Sequence, residues 1–249
     1  MKLKSLLIAL LPGICSFFFS IQKTTAQNSD SLNSFYPKAI NNARAVYHQA
    51  FGDQKGLYNG GRYTEYLYKF KEGDPYFNMP QPEAGSVLYD GIQYDSVLMR
   101  YDEIADELVI NYYTERIQLL KPKVERFSFF NANFIQIEKD SLSNNLISSG
   151  FYNLLYKGKI CLFKKEIKTI SESTSTNVEL QSFVEQKDYY YIKREGKYYS
   201  IKSKNELIDL LSDRKNEVKE FMRANGLNFR RDRQNMLTQT IAYYDRLKK

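Results

Sequence analysis

The chain has 249 residues, with 36 Lys and Arg against 29 Asp and Glu, a formal net charge of +7 and a single histidine. A hydrophobic content of 43%, with 21 Tyr and 16 Phe, excludes a disordered chain, because that much large apolar side chain offsets the entropy lost on ordering. Only 12 Gly and 6 Pro exclude a collagen-like chain, 2 Cys exclude a disulfide scaffold, and one histidine leaves no material for a histidine-built metal or acid–base centre.

Residues 1–26 read as a secretory signal peptide. Lys2 and Lys4 supply the charged start. Leu6–Leu11 and Ile14–Phe19 form the apolar core around Pro12-Gly13, and Thr24-Thr25-Ala26 precedes the expected cut. Pro-Gly and the short apolar run argue against a retained membrane anchor, which needs roughly 20 continuous apolar residues. Ile14 stands where a lipoprotein signal needs a small residue before Cys15. Cleavage removes three lysines and leaves 33 basic against 29 acidic residues, a charge of +4. That balance is ordinary and speaks against a nucleic-acid partner. It also removes Cys15, so Cys161 has no partner for an internal disulfide. The apolar run Ile160-Cys161-Leu162-Phe163 makes it a small buried hydrophobe.

Residues 27–35 form a polar leader, and a single β-rich domain is expected over 36–249. A helix is predicted at 36–52, where Tyr36, Ile40, Ala43, Tyr47 and Ala50 share one face. His48 lies in this helix beside its apolar face, where packing or solvation accounts for it. From 62 to 202 the pattern is strand-like, with roughly eleven short strands at hairpin spacing. Alternation begins at Tyr63–Phe70. Asp90-Gly91, Lys157-Gly158 and Glu195-Gly196 mark hairpin turns. Ser/Asn-rich stretches at 139–149 and 171–177 read as loops. No long helix falls between strands, so an antiparallel meander is expected rather than parallel crossover units. Residues 203–247 read as a helical pair. Ser203-Lys204-Asn205-Glu206 is a capping-box start, and Asn225-Gly226 separates the two helices. The fold expected is therefore α+β and β-rich: a curved antiparallel meander, open barrel or half-barrel, between one N-terminal helix and a C-terminal helical pair.

The catalytic signatures fail. There is no His-Glu-x-x-His, no Cys-x-x-Cys, no phosphate loop and no Gly-x-Ser-x-Gly elbow. No catalytic residue, cofactor or metal ligand is assigned. The acids Asp90, Asp95, Asp102, Glu103, Asp106 and Glu107 fall within 18 residues. A calcium site or a hydrolytic carboxylate pair would use such groups. The spacing fits no calcium loop, and turns and exposed strand faces account for them. Tyrosine is the distinctive signal. Tyr66, Tyr68, Tyr89, Tyr94 and Tyr101 are the candidates to line a site for a lipid or a glycan, because a tyrosine ring gives apolar area and its hydroxyl a polar handle. β-propensity and core filling explain the same residues. Arg223, Arg230, Arg231 and Arg233 form a basic segment able to meet an anionic envelope polymer, or simply a solvated face.

Three stretches carry a resemblance. They are Gly73-Asp74-Pro75-Tyr76-Phe77, then Val87–Tyr94 leading to Leu98-Met99-Arg100-Tyr101-Asp102, and Lys197-Tyr198-Tyr199 through Asn225-Gly226-Leu227-Asn228-Phe229. Together they resemble a group of uncharacterised exported proteins of Bacteroidota-type Gram-negative bacteria. The resemblance implies an exported location, periplasmic or at the outer membrane, and supplies no mechanism. The expected role is a non-catalytic envelope protein that binds a partner or apolar ligand, with no transmembrane segment after cleavage. A periplasmic carrier of lipids or apolar ligands and a carboxylate-dependent hydrolase are the alternatives.

Overall fold

The computed structural model describes residues 56–67, 69–139, 146–174 and 180–247. The expected signal peptide, leader, first helix and His48 lie outside the described residues, as does Tyr68.

Turn chemistry sets the topology. Asp90 and Gly91 both take positive φ (52° and 77°), as a two-residue hairpin turn requires, and they join β2 (Glu83–Tyr89) to β3 (Ile92–Asp102). Glu195 and Gly196, at 51° and 79°, join β10 (Leu180–Arg194) to β11 (Lys197–Ser200) in the same way. The remaining strands are β1 (Gly61–Arg62), β4 (Glu107–Tyr112), β5 (Glu115–Gln118), β6 (Val124–Phe129), β7 (Ala132–Ile137), β8 (Gly150–Lys157) and β9 (Ile160–Thr174). They form one antiparallel sheet of eleven strands in the order β1-β5-β4-β3-β2-β6-β7-β8-β9-β10-β11.

The sheet is folded over on itself. Three strands separate β3 from β8, a spread of roughly 19 Å in a flat sheet. Yet the rings of Tyr101 on β3 and Phe151 on β8 stand 5.8 Å apart. The link from β5 to β6 has five residues, Leu119–Lys123, and passes β4 (Leu119 N to Leu108 O, 2.9 Å) on its way to β2 (Asp90 N to Lys123 O, 2.8 Å). A core fills the inside of the bend. Phe127 stacks on Phe134 at 4.7 Å, and Tyr101, Phe129 and Phe151 surround the pair.

A bulge in β3 decides which residues reach that core. Ser96 has φ 57°, and the register with β2 shifts between Gly85 and Val87. Facing parity reverses there, so Tyr94 is buried with Val97, Met99 and Tyr101, while Leu98 is half exposed. Strict alternation from Tyr94 would have put Leu98 inside.

Three boundaries differ from the sequence expectation. The Tyr63–Phe70 stretch forms no ladder beyond β1. It begins a strap that runs from the β5 edge (Tyr63 N to Arg116 O, 2.9 Å) to β10 (Val184 N to Glu72 O, 2.9 Å) and on to β3 (Phe77 N to Tyr101 O, 2.9 Å). Its polar side chains engage β3 and β5 instead, as when Glu65 pairs with Arg100 and Arg116. The Ser171–Thr174 stretch is strand, paired to Leu180–Phe183, because a two-stranded ribbon tolerates polar residues on both faces. Charged Glu185–Asp188 does not interrupt β10, since these residues lie outward, where Gln186 donates to Glu166 and Lys164 meets Asp188.

The C-terminal region holds three helices: α1 (Lys204–Leu210), α2 (Lys215–Ala224) and α3 (Arg233–Leu247). The cap at Ser203 forms, with Glu206 N donating to its Oγ at 3.2 Å. The expected first helix breaks at Leu211, where Ser212–Arg214 tighten into a single 3-10 turn and Asp213 receives the Tyr244 hydroxyl at 2.8 Å. Leu207, Leu211, Val218, Met222, Leu237, Ile241 and Tyr244 bury one stripe against Ile160, Leu162, Tyr190 and Ile192 of the sheet. No described helix is long and apolar enough to cross a membrane.

Candidate binding cleft

The β6–β7 hairpin turns on Phe130-Asn131, both in left-handed backbone at φ 49° and 60°. Such turns favour Asn or Gly; a bulky aromatic at the first position is strained by roughly 1–2 kcal/mol. Asn78, across from the turn, also has positive φ at 61°. Strain of this kind concentrates at functional sites. All three residues line one cleft of about 500 Å³ between this hairpin, strands β8 and β9, and the first turns of α3.

The lining is rich in carboxamides. Asn78, Asn131, Asn133, Asn153 and Gln234 all contribute, with Thr238 on the helix side. None of the five amides has a protein hydrogen-bond partner among the described residues. The apolar part of the wall is the half-buried Phe130 ring with Phe77, Ala132, Leu154 and Leu155.

The charges of the cleft floor are paired among themselves. Lys164 and Glu166 both line it and pair with each other, and Lys164 Nζ also meets Asp188 Oδ2 at 2.9 Å. Burial disfavours the Lys164 charge, but the two carboxylates outweigh it and raise its pKa. Glu103 lies behind Glu166 and is 3% exposed. Burial first, then the Glu166 charge, push Glu103 up to about 7 against the partial opposition of Lys168. Both Glu103 oxygens are sealed and lack a well-directed hydrogen bond, although Lys168 Nζ is 3.0 Å from Oε2.

Next in the acidic run, Asp106 accepts from the Tyr101 hydroxyl at 2.6 Å and pairs with Lys165 and Lys121. Gly150 makes room for this group. At its φ of 150°, a Cβ would stand 2.3 Å from Asp106 Oδ2 and 3.0 Å from Lys165 Nζ. Burial lowers the Lys165 pKa despite Asp106.

Comparison with known proteins finds no match: no family model fits the chain, and no curated protein or solved structure is similar to it. The chemistry of the cleft therefore stands on its own residues.

Glycoside hydrolysis needs two carboxyl groups facing the substrate. Here Glu166 alone reaches the cleft, already paired, and Glu103 is walled off. No group of three or more His, Cys, Asp or Glu among the described residues is arranged to hold a metal ion.

The tyrosines singled out in the sequence occupy other places. Tyr89, Tyr94 and Tyr101 are buried in the core inside the bend. Tyr66, in the strap, donates its hydroxyl to Asp102 at 2.9 Å. None of these four lines the cleft. Cys161 is half-buried rather than buried, with Sγ 3.9 Å from Gly158 O. The acidic run divides. Asp102, Glu103 and Asp106 enter the buried network, whereas Asp90 and Asp95 stay outside it. The cleft residues were missed because the five amides are scattered from position 78 to 234. The one local signal was an Asn following an aromatic between two alternating runs, at Phe130-Asn131.

Proposed function

We propose that this protein is an exported cell-envelope protein, built on an open half-barrel with a preceding helix at 36–52, that binds neutral saccharide without cleaving it. One observation carries the reading: five side-chain amides with unspent hydrogen-bonding groups converge with an aromatic ring held in strained backbone. Amides match the paired donors and acceptors of sugar hydroxyls, and an aromatic face suits the apolar C–H face of a pyranose. Lys164, the cation of the floor, is already paired with Glu166 and Asp188, which disfavours an anionic ligand. The leader-like residues 1–26 and the resemblance to exported Bacteroidota-type proteins support the location.

An apolar-ligand carrier finds less support. Such a carrier needs open space inside the bend, and the Phe127, Phe129, Phe134 and Phe151 rings fill that space.

The test has two arms. Expression with the native leader in a Gram-negative host is expected to give an envelope-fraction protein beginning at Gln27. Titration of that protein with neutral oligosaccharides, followed by NMR, is expected to shift the Asn78, Asn133 and Asn153 side-chain amides. Retention in the cytosol sinks the location, and unshifted amides across the oligosaccharide panel sink the saccharide reading.

A further inference from the structure

We propose that a second cleft, of about 510 Å³ between the start of α1 and the Leu227–Arg233 segment, binds a phosphoryl group. Lys202 and Lys204 come from one wall, and Arg230 and Arg233 from the other. No carboxylate lines it.

Convergence on one cleft singles these cations out, since Lys219, Arg223, Arg231 and Arg246 of the same region also lack an acidic partner among the described residues but do not line it. Nearby, Arg194 at the end of β10 meets Asp213 and Glu195, and on the helical region Arg214 meets Glu217 and Lys215 meets Asp209. Lys202, Lys204, Arg230 and Arg233 have no acidic partner among the described residues. Glu206, which follows this wall, has Oε2 committed to the Lys202 backbone N–H at 2.8 Å. Four like charges around one concavity repel one another, and an entering dianion relieves that repulsion.

The donors are also held in place. The Arg233 guanidinium lies over the Phe229 ring at 4.6 Å and near the Tyr190 ring at 5.7 Å. Asn228 Oδ1 accepts from Arg230 N at 2.9 Å and from Arg231 N at 3.2 Å, which fixes the connecting loop. A stacked guanidinium keeps its planar fork free for two phosphate oxygens, and the lysines add point charge. The cleft has room for more than a bare ion, so the phosphoryl group arrives either as free phosphate or on a phosphorylated saccharide of the envelope. This inference does not rest on the saccharide reading of the Phe130 cleft.

The mature protein is titrated at low salt and pH 7 with inorganic phosphate, with glucose-6-phosphate and with glucose. Both phosphates are expected to bind, less tightly as salt rises. The double variant Lys204→Glu/Arg230→Glu is expected to bind each at least about tenfold more weakly, since charge-assisted hydrogen bonds are lost. Tighter binding of glucose-6-phosphate identifies a phosphorylated saccharide, and equal binding identifies the ion. If the double variant does not fold, Lys202→Glu alone is expected to weaken phosphate roughly threefold. Phe130→Ala is expected to leave phosphate binding unchanged. Absence of phosphate binding to the unaltered protein, or equal binding by the charge-reversed variant, overturns the proposal.

Discussion

Lys168 Nζ on β9 stands 3.0 Å from Glu103 Oε2 on the β3–β4 loop, with only 9% and 1% of the two side chains exposed. The same ammonium donates to Tyr76 O at 2.6 Å, so one lysine ties β9, the acidic loop and the strap together. A carboxyl this deep keeps its proton longer than one in water. Between its ordinary pKa near 4.5 and its folded value of about 7, the folded chain holds a proton that the unfolded chain has released. Stability gained from that proton is full below about 4.5 and is lost as pH rises toward 7. The loss is on the order of 3 kcal/mol, because each pKa unit is worth about 1.4 kcal/mol. Urea midpoints measured from pH 5 to 8 are expected to fall and then level off. Glu103→Gln is expected to flatten that stretch, and an unchanged slope in the variant assigns it to another group.

Asp102 organises the neighbouring loop. It accepts from the hydroxyls of Tyr63 at 2.7 Å and Tyr66 at 2.9 Å, and from the backbone amides of Ile104 and Ala105 at 2.9 and 3.0 Å. Tyr63 is held protonated, first by burial and then by its bonds to Tyr76 and Asp102. Asp102→Ala strands these donors in a site 1% exposed and is expected to cost roughly 3 kcal/mol or more. Asp102→Asn keeps one acceptor and is expected to cost less than Ala. Equal urea midpoints for the two variants would mean that the oxygens are not what holds the loop.

Phe127 is the hub of the bend, stacked on Phe134 at 4.7 Å and edge-on to Phe151 at 5.1 Å and Tyr101 at 5.4 Å. Phe127→Ala removes a ring that is 2% exposed and is expected to cost roughly 3–5 kcal/mol. The vacated space is apolar and is expected to stay dry, so benzene should restore part of the lost thermal stability. A loss below about 1 kcal/mol would mean that the bend closes without this ring.

Hairpins, the antiparallel order and the helical ending could be read from Asp90-Gly91, Glu195-Gly196 and Ser203–Glu206, because turn and cap chemistry is local. The bend could not. It depends on contacts such as Tyr101 with Phe151, fifty positions apart and three strands removed. The bulge at Ser96 was equally hidden, since a serine carries no mark of positive φ, and it overrode the alternation that would have buried Leu98. Of the tyrosines offered as a ligand lining, Tyr89, Tyr94 and Tyr101 lie in the core rather than in the cleft. The same aromatic alternation that fits a ligand-lined sheet also fits a filled one, and only packing separates them. Nothing in the sequence marks Lys164, Lys165 and Lys168, yet each is buried against a carboxylate: Glu166 and Asp188, Asp106, and Glu103 respectively.

Phe130 offers the sharpest separation of strain from recognition. Its φ of 49° costs any residue with a Cβ, and its ring packs 5.1 Å from Phe129 while facing the cleft. Both Phe130→Ala and Phe130→Gly remove the ring, so both are expected to lose the amide shifts produced by neutral oligosaccharide. Only glycine removes the Cβ and with it the strain. Phe130→Gly is therefore expected to be more stable than Phe130→Ala by about 1 kcal/mol, the reverse of the usual order for these two residues inside regular structure. Thermal or urea unfolding of the pair measures the difference directly. If Ala equals or exceeds Gly, the turn relaxes without cost and the strain is no guide to the site. If either variant keeps full saccharide response, the ring is not the stacking surface and recognition rests on the amides alone.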